Sequence, residues 1–323
     1  MIWNSGATEG NNSVLQFVSQ FSSQMTDEGT GIPHFITSAI EHPSVLQTCI
    51  ELQSLNRISL TILPVDRQGF ISLSELEKAI TARTKLCSIM WVNNEIGTIQ
   101  DMKAIAEICQ KKKIYLHTDA TQTVGKIAID LQSIPIHFLT ASAHKFYGPK
   151  GVGFLITRSE NPYTPSPKMM YGGPHQNGIR PGTMNTASIA GAGQACEISH
   201  REMESENKKY SELLLSFVSQ LKMHWPDLII NGPPLSSPSR SPMNLNITFP
   251  NKPIEMFISK LTGIAFSQGA ACHSGETTMS QTLLAIGLSE MQAQCTLRMS
   301  VGRLTTEADI KAAAEIISRA LAS

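Results

Sequence analysis

The sequence predicts an α/β fold, a mostly parallel sheet sandwiched by helices, followed by a smaller α+β domain. Over residues 1 to about 160, short apolar β-rich runs alternate with amphipathic helical runs. That alternation is the signature of parallel strands connected through covering helices. A stretch rich in Pro, Gly and Asn, from Asn161 to Pro181, then interrupts it. Beyond it a long helical stretch leads into strands and helices that no longer alternate regularly. These shifts divide the chain into residues 1–184 and residues 185–323.

Taken in order, Met1-Ile2-Trp3 opens directly on a strand. Phe35–Ala39, Ile58–Pro64, Leu86–Val92, Ile114–His117, Phe138–Ala141 and Val152–Thr157 read as further strands. Val45–Leu55, Ser74–Ile80 and Met102–Lys111 read as the helices between them. Ser72-Leu73-Ser74-Glu75 has capping-box spacing. The long helix runs from about Thr186 to Leu221. Leu228–Ile230, Leu245–Phe249 and Cys295–Val301 are strands, Glu255–Leu261 is a helix, and a final helix starts at Glu307.

Composition excludes several classes. Lys+Arg and Asp+Glu are equal at 26 each, so no net charge favours a nucleic-acid partner. No apolar run approaches the roughly 18 residues of a membrane span, and Met1 is not followed by a secretory signal. The six cysteines are scattered without a C-x-x-C pair. That argues against a disulfide framework or a metal site and fits a reducing cytoplasm.

The chemistry centres on Lys145. It follows the strand Phe138–Ala141 and precedes the glycine turn Phe146-Tyr147-Gly148-Pro149-Lys150-Gly151. A strand followed by a sharp turn directs a lysine into the crevice at a strand's carboxyl end, where open α/β sheets bind ligands. An amine there can form a Schiff base with an aldehyde cofactor. Asp119, in Leu116-His117-Thr118-Asp119-Ala120-Thr121-Gln122, ends another strand. It could keep a pyridinium nitrogen protonated, and Gln122 could donate to a phenolate oxygen. In Asn4-Ser5-Gly6-Ala7-Thr8-Glu9-Gly10-Asn11-Asn12, small residues precede a helix, so backbone N–H groups and the Thr8 hydroxyl can approach a phosphate. Each alone has a plainer reading: a surface lysine, a solvated carboxylate, a helix cap.

Together these runs resemble the cysteine desulfurases of the NifS/IscS type, in the class V aminotransferase superfamily of fold-type I pyridoxal-phosphate enzymes. The matching runs are SGATEGNN, EHPSV, NNEIGTIQD, HTDATQTVGK, SAHKFYGPKGVG, RPGT, GAACHSG and RMSVGR, in family order over nearly the whole chain. The resemblance implies pyridoxal 5'-phosphate as cofactor and assigns roles. Lys145 is the Schiff-base lysine, Asp119 the pyridinium partner and Gln122 the phenolate ligand. His42 stacks on the ring and can shuttle protons, since imidazole titrates near neutrality. Thr8, Ser142 and His144 are phosphate-side ligands, and Ala7 gives a backbone contact. Asn94 lies beside ring and substrate. Thr183 is a phosphate ligand lent by a second subunit, which implies a homodimer. Arg298 clamps the substrate carboxylate, as a guanidinium fork can do bidentately.

Cys272 narrows the reaction. In Ser267-Gln268-Gly269-Ala270-Ala271-Cys272-His273-Ser274-Gly275-Glu276, small residues suggest a flexible, accessible loop rather than a core position. Cys49, Cys87, Cys109, Cys196 and Cys295 lie in helical or strand patterns and read as packing residues. The resemblance then implies that Lys145 removes the substrate α-proton, that the Cys272 thiolate takes the sulfur of L-cysteine as a persulfide, and that L-alanine leaves. The sulfur passes to an acceptor protein, such as an iron–sulfur scaffold. Three departures stand out: an N-terminal segment is apparently missing, Gly10 stands where many relatives have serine, and His137 where aspartate is common. Selenocysteine lyase, another class V aminotransferase, or a truncated inactive scaffold remain alternatives.

Overall fold

The computed structural model describes residues 1–24, 31–158, 167–168, 170–268, 270–273 and 276–322. The chain divides into two compact units. The first comprises residues 1–64, 71–92 and 100–203, and the second residues 65–70, 93–99 and 204–323.

The first unit is built on a seven-stranded sheet. Its elements run β1 (Ile2–Asn4), α1 (Ala7–Gln24), β2 (His34–Ser38), α2 (Pro43–Ser54), β3 (Ser59–Leu63), α3 (Leu73–Ala79), β4 (Thr84–Ser88), α4 (Met102–Lys112), β5 (Tyr115–Asp119), β6 (Phe138–Ser142) and β7 (Gly153–Thr157). The strand order is β1-β7-β6-β5-β4-β2-β3. Strands β2 to β6 pair in parallel, β7 is antiparallel to β6, and β1 is antiparallel to β7. The carboxyl ends of β1, β2, β4, β5 and β6 therefore share one edge.

The expected mostly parallel sheet is present, and its strands show why the sequence runs were so apolar. All five residues of β2 and all five of β6 are buried, as in a sheet covered on both faces. Val14, Leu15 and Val18 of α1 pack in one cluster with Phe35, Leu86 and Phe138. Each such fully buried side chain contributes roughly 1.5–3 kcal/mol. Caps set the helix boundaries: Ser72 Oγ accepts from Glu75 N at the start of α3, and Asp101 from Ala104 N at the start of α4. Helix α4 ends on Lys113 in the left-handed conformation at φ 57°. The strand expected over Leu86–Val92 stops at Ser88. Ile89 N and Trp91 N still reach the carbonyls of His117 and Asp119, but outside regular strand geometry.

The second unit takes the carboxyl part of α5 (Thr186–His224) and then β8 (Ile229–Ile230), β9 (Asn244–Thr248), β10 (Ser267–Gln268), β11 (Ala270–His273), β12 (Glu276–Met279), α6 (Gln281–Ala285), α7 (Glu290–Gln294), β13 (Thr296–Ser300) and α8 (Glu307–Ala322). Its antiparallel sheet has the order β10-β13-β9-β8. Leu213, Phe217 and Leu221 of α5, Leu245 and Ile247 of β9, Leu297 of β13, and Ile317 and Leu321 of α8 form its core. The segments 65–70 and 93–99 join this unit because Ile96, fully buried, packs with Leu283 and Ile286. Gly232, at φ 85°, lets the chain pass close: a Cβ there would stand 2.5 Å from Ile96 O.

Two expectations change in this unit. The helix near Glu255–Leu261 is a 3₁₀ helix over Ile254–Lys260, in which only Ile254 is buried, too little apolar surface to hold a longer α-helix. The segment expected as an open loop around Cys272 is strand paired: Ala270–His273 lies antiparallel to Glu276–Met279. The β-branched Thr277 and Thr278 favour that extended backbone. Among the described residues no helix is long and apolar enough to cross a membrane.

Candidate active site

Strands β5 and β6 lie side by side in register, with Asp119 opposite Thr140. Asp119 is 5% exposed. One carboxylate oxygen accepts from Asn11 Nδ2 at 2.8 Å and the other from Thr121 N at 2.9 Å. The strand end thus buries a carboxylate with donors on both oxygens, as a buried anion requires.

After β6 the chain makes a 3₁₀ turn, Ala143–Phe146, that ends on Tyr147 in the left-handed conformation at φ 68°. Residues three apart eclipse in such a turn. Ala143 and Phe146 are buried and His144 and Lys145 are exposed, so the lysine is presented by the burial of its neighbours. Ser142 Oγ accepts from Ala7 N at 2.7 Å, which ties the lysine strand to the first turn of α1. The backbones nearly touch here: a Cβ on Gly153 would stand 2.6 Å from Gly6 Cα. Gly10 belongs to the same packing, because Thr140 Cγ2 fills the place of a Cβ at 2.8 Å.

Around this edge gather basic groups. Lys126, nearly fully buried, donates to Gln122 Oε1 at 2.6 Å. Burial, with the charge of Lys145 added, pushes the Lys126 ammonium down to about 7. Burial and the charges of Lys145, Lys150 and Lys126 also lower His144. On the other side Glu41 is buried, and both its oxygens accept from Met90 N at 2.9 and 3.0 Å. Burial raises its carboxyl to about 8, and Asp119 adds to the rise.

His42 caps α2: its Nδ1 accepts from Ser44 N at 3.1 Å, and Pro43 occupies the first helical position. Thr8 is exposed in the first turn of α1. Thr183 is exposed too and lines a cavity with Trp3, Ser5 and Arg180. Arg180 forks onto Glu9 at 2.9 and 3.2 Å, fixing this segment against α1. Burial alone would raise Glu9, but the Arg180 bond and charge with the Ser5 bonds outweigh it and hold the carboxyl low. Ala7, Thr8, His42, Asp119, Gln122, Ser142, His144, Lys145 and Thr183 are thus all in the first unit.

Asn94, Cys272 and Arg298 belong to the second unit. Arg298 lies opposite Asn246 in the β13–β9 pairing, so the two share a sheet face. Asn246 Nδ2 donates to Glu95 O at 3.2 Å, and Asn244 Nδ2 to Asn94 O at 3.4 Å. The backbone carbonyls of Asn94 and Glu95 are therefore held by asparagines on the sheet face that Arg298 shares. Ser267 Oγ accepts from Arg298 at 3.0 Å. Cys272 pairs through its backbone with Thr277, and its side chain lies outside the described residues. The other five cysteines are free thiols. Burial pushes Cys49 up to about 12 and raises Cys196 and Cys295. A bond to the Cys109 sulfur, with burial, raises Cys87. These four thiols stay protonated and unreactive near neutrality.

The first unit's edge fits pyridoxal phosphate. Asp119 is an enclosed carboxylate suited to a pyridinium nitrogen. The Thr121 hydroxyl beside it is buried without a partner. The start of α1 suits a phosphate dianion, and Lys150 adds a positive charge near His144. Among the described residues no cluster of His, Cys, Asp and Glu could hold a metal ion. Sequence reasoning overlooked Asn11, Ser44, Glu41 and Lys126. Lys126 carried a usable signal, a lysine four residues after Gln122 in a run of otherwise uncharged residues.

The model of the class-V aminotransferase family matches residues 1–313. Cysteine desulfurase IscS of Ruthia magnifica subsp. Calyptogena magnifica is 39% identical over 98% of this chain and 76% of its own length. Cysteine desulfurase of Mus musculus is 38% identical over 98% of this chain and 66% of its own length. A solved NifS-like protein superposes with TM-score 0.88 at 32% identity, covering 99% of this chain and 82% of its own. DndA from Streptomyces lividans gives 0.79 at 32% identity, over 93% of this chain and 82% of its own. The chain belongs to the class-V aminotransferase family, among the cysteine desulfurases.

Proposed function

We propose that the chain is a pyridoxal-phosphate-dependent cysteine desulfurase that converts L-cysteine to L-alanine and holds the sulfur as a persulfide on Cys272. The observation that carries the reading is the pairing of adjacent strand ends, a buried, doubly held Asp119 beside an exposed Lys145. When bound, the cofactor supplies an electron sink for the α-carbon of an amino acid. Lys145 anchors its aldehyde and afterwards takes the substrate α-proton. Asp119 holds the proton on the ring nitrogen. Gln122 would hold the phenolate oxygen, and His42 would lie against the ring. Ala7, Thr8, Ser142 and His144 hold the phosphate, with Thr183 of a second copy in a homodimer. Arg298 binds the substrate carboxylate and Asn94 stands beside it. The Cys272 thiolate attacks the substrate sulfur: the carbon–sulfur bond breaks, a sulfur–sulfur bond forms, and the three-carbon product leaves as alanine. The persulfide passes to a sulfur-acceptor protein, with an iron–sulfur scaffold as the favoured class, in the reducing cytoplasm that the scattered free thiols suit.

The test compares wild type with Cys272→Ser, measuring alanine and sulfide from L-cysteine under reductant, with selenocysteine in parallel. The reading expects equal alanine and sulfide from wild type, and a variant that keeps the cofactor's yellow absorption but loses turnover. Sulfide release by the variant at the wild-type rate would overturn the role of Cys272.

A further inference from the structure

Asp119 and His42 are joined through two residues that sequence reasoning did not single out. Asn11 Nδ2 donates both to Asp119 Oδ2 and to Ser44 Oγ, each at 2.8 Å. Ser44 Oγ lies 2.8 Å from His42 Nδ1. Asn11 and Ser44 are buried, at 0% and 8% exposure, so water does not complete these bonds. Thr140 Oγ1 donates to Asn11 Oδ1. The Asp119 carboxylate can only accept, so the Asn11 amide has one orientation, its NH₂ toward Asp119 and Ser44.

The donor count settles the protons. Ser44 N donates to His42 Nδ1 at 3.1 Å, so Nδ1 is an acceptor. With Nδ1 an acceptor, the Ser44 hydroxyl donates its hydrogen there, and Asn11 takes a lone pair of the same oxygen. A neutral His42 therefore carries its proton on Nε2, the nitrogen that neither the cap nor the serine uses.

We propose that Asn11 is a positioning residue for the reaction: it fixes the Asp119 carboxylate and, through Ser44, aims the serine hydroxyl at His42 Nδ1. The proposal rests on the reading of Asp119 and His42 as cofactor ligands. Removing the Asn11 amide frees one Asp119 oxygen and lets the Ser44 hydroxyl rotate, so the two ligands lose their common joint. A residue serving stability alone would lower the melting temperature without moving the His42 Nδ1 resonance.

The experiment measures pyridoxal-phosphate affinity of the full chain by fluorescence titration. ¹⁵N-histidine NMR reads the His42 tautomer and the Nδ1 shift, which reports the hydrogen bond it accepts, with and without the cofactor, assigned with His42→Gln. Wild type is expected to show Nδ1 as the unprotonated nitrogen. Asn11→Ala is expected to bind the cofactor about 5–10-fold more weakly and to shift the Nδ1 resonance, while the Ser44 backbone N–H keeps the tautomer. Ser44→Ala is expected to shift the Nδ1 resonance while keeping affinity within twofold, which preserves the test if Asn11→Ala does not fold. A proton on Nδ1 in wild type overturns the proposal. So does an Asn11→Ala affinity within twofold of wild type, or one that falls without any change at His42. A wild-type chain that binds no cofactor sinks the functional reading instead, while the Nδ1 resonance of the cofactor-free chain and its variants still tests the relay.

Discussion

Two neighbouring strand ends of the first unit are built in opposite ways. At the end of β5, Asp119 is enclosed and held on both oxygens. Glu41, two strands away, keeps its proton up to about pH 8, so it adds no second charge there in neutral solution. At the end of β6, Lys145 and His144 are exposed on a turn whose flanking residues are buried. Under the proposed function the difference separates two tasks. A group that must present a fixed charge to a ring is immobilised by hydrogen bonds and low dielectric. A group that must form and release a covalent bond is left free to move on a rigid base.

The largest break in this comparison comes at the free end. Lys145→Ala removes both anchor and base, and turnover should fall by at least about 10⁴-fold, near the upper range for one acid–base group. Alanine production under saturating cofactor checks it. At the enclosed end, Asp119→Asn keeps the shape but loses the charge, and should cost on the order of 10²-fold in kcat, the effect of one preorganised electrostatic group. The cofactor should remain bound to Lys145, which separates the two variants in an absorption spectrum.

Glu41 sharpens the comparison through stability. An unfolded glutamate ionises near 4.5, whereas folded Glu41 holds its proton to about 8. Between those values the unfolded chain releases a proton that the folded chain keeps. The Glu41 contribution to stability therefore falls as pH rises from about 4.5 to about 8, and is level on either side. Glu41→Gln should remove that slope. Denaturant melts of both chains at pH 5, 6.5 and 8 check it, since other groups cancel in the difference. A parallel pair of curves would contradict the buried-proton account.

Much of the fold was legible because periodicity reports burial on both faces. The runs Phe35–Ala39 and Phe138–Ala141 became the fully buried β2 and β6. The hairpin around Cys272 was not legible, since Ala, Gly and Ser carry little strand signal and pairing is non-local. The joining of segments 65–70 and 93–99 to the second unit was equally hidden, because it depends on Ile96 packing across some 190 residues, on Leu283 and Ile286. At the site, Lys145 and Asp119 stood out as charged residues ending apolar strands. Asn11 and Ser44 did not, since a helix face of small polar residues looks the same whether or not its partner is a carboxylate one hundred residues on.

The central claim is that Lys145 is the cofactor's anchor. It is tested most directly by incubating the full chain with pyridoxal phosphate, reducing with borohydride and mapping the modified peptide by mass spectrometry. The account predicts one phosphopyridoxyl group per chain, on Lys145, with the nearby Lys126 and Lys150 unmodified. Stable modification of either of those lysines in place of Lys145, or none at all, would contradict it.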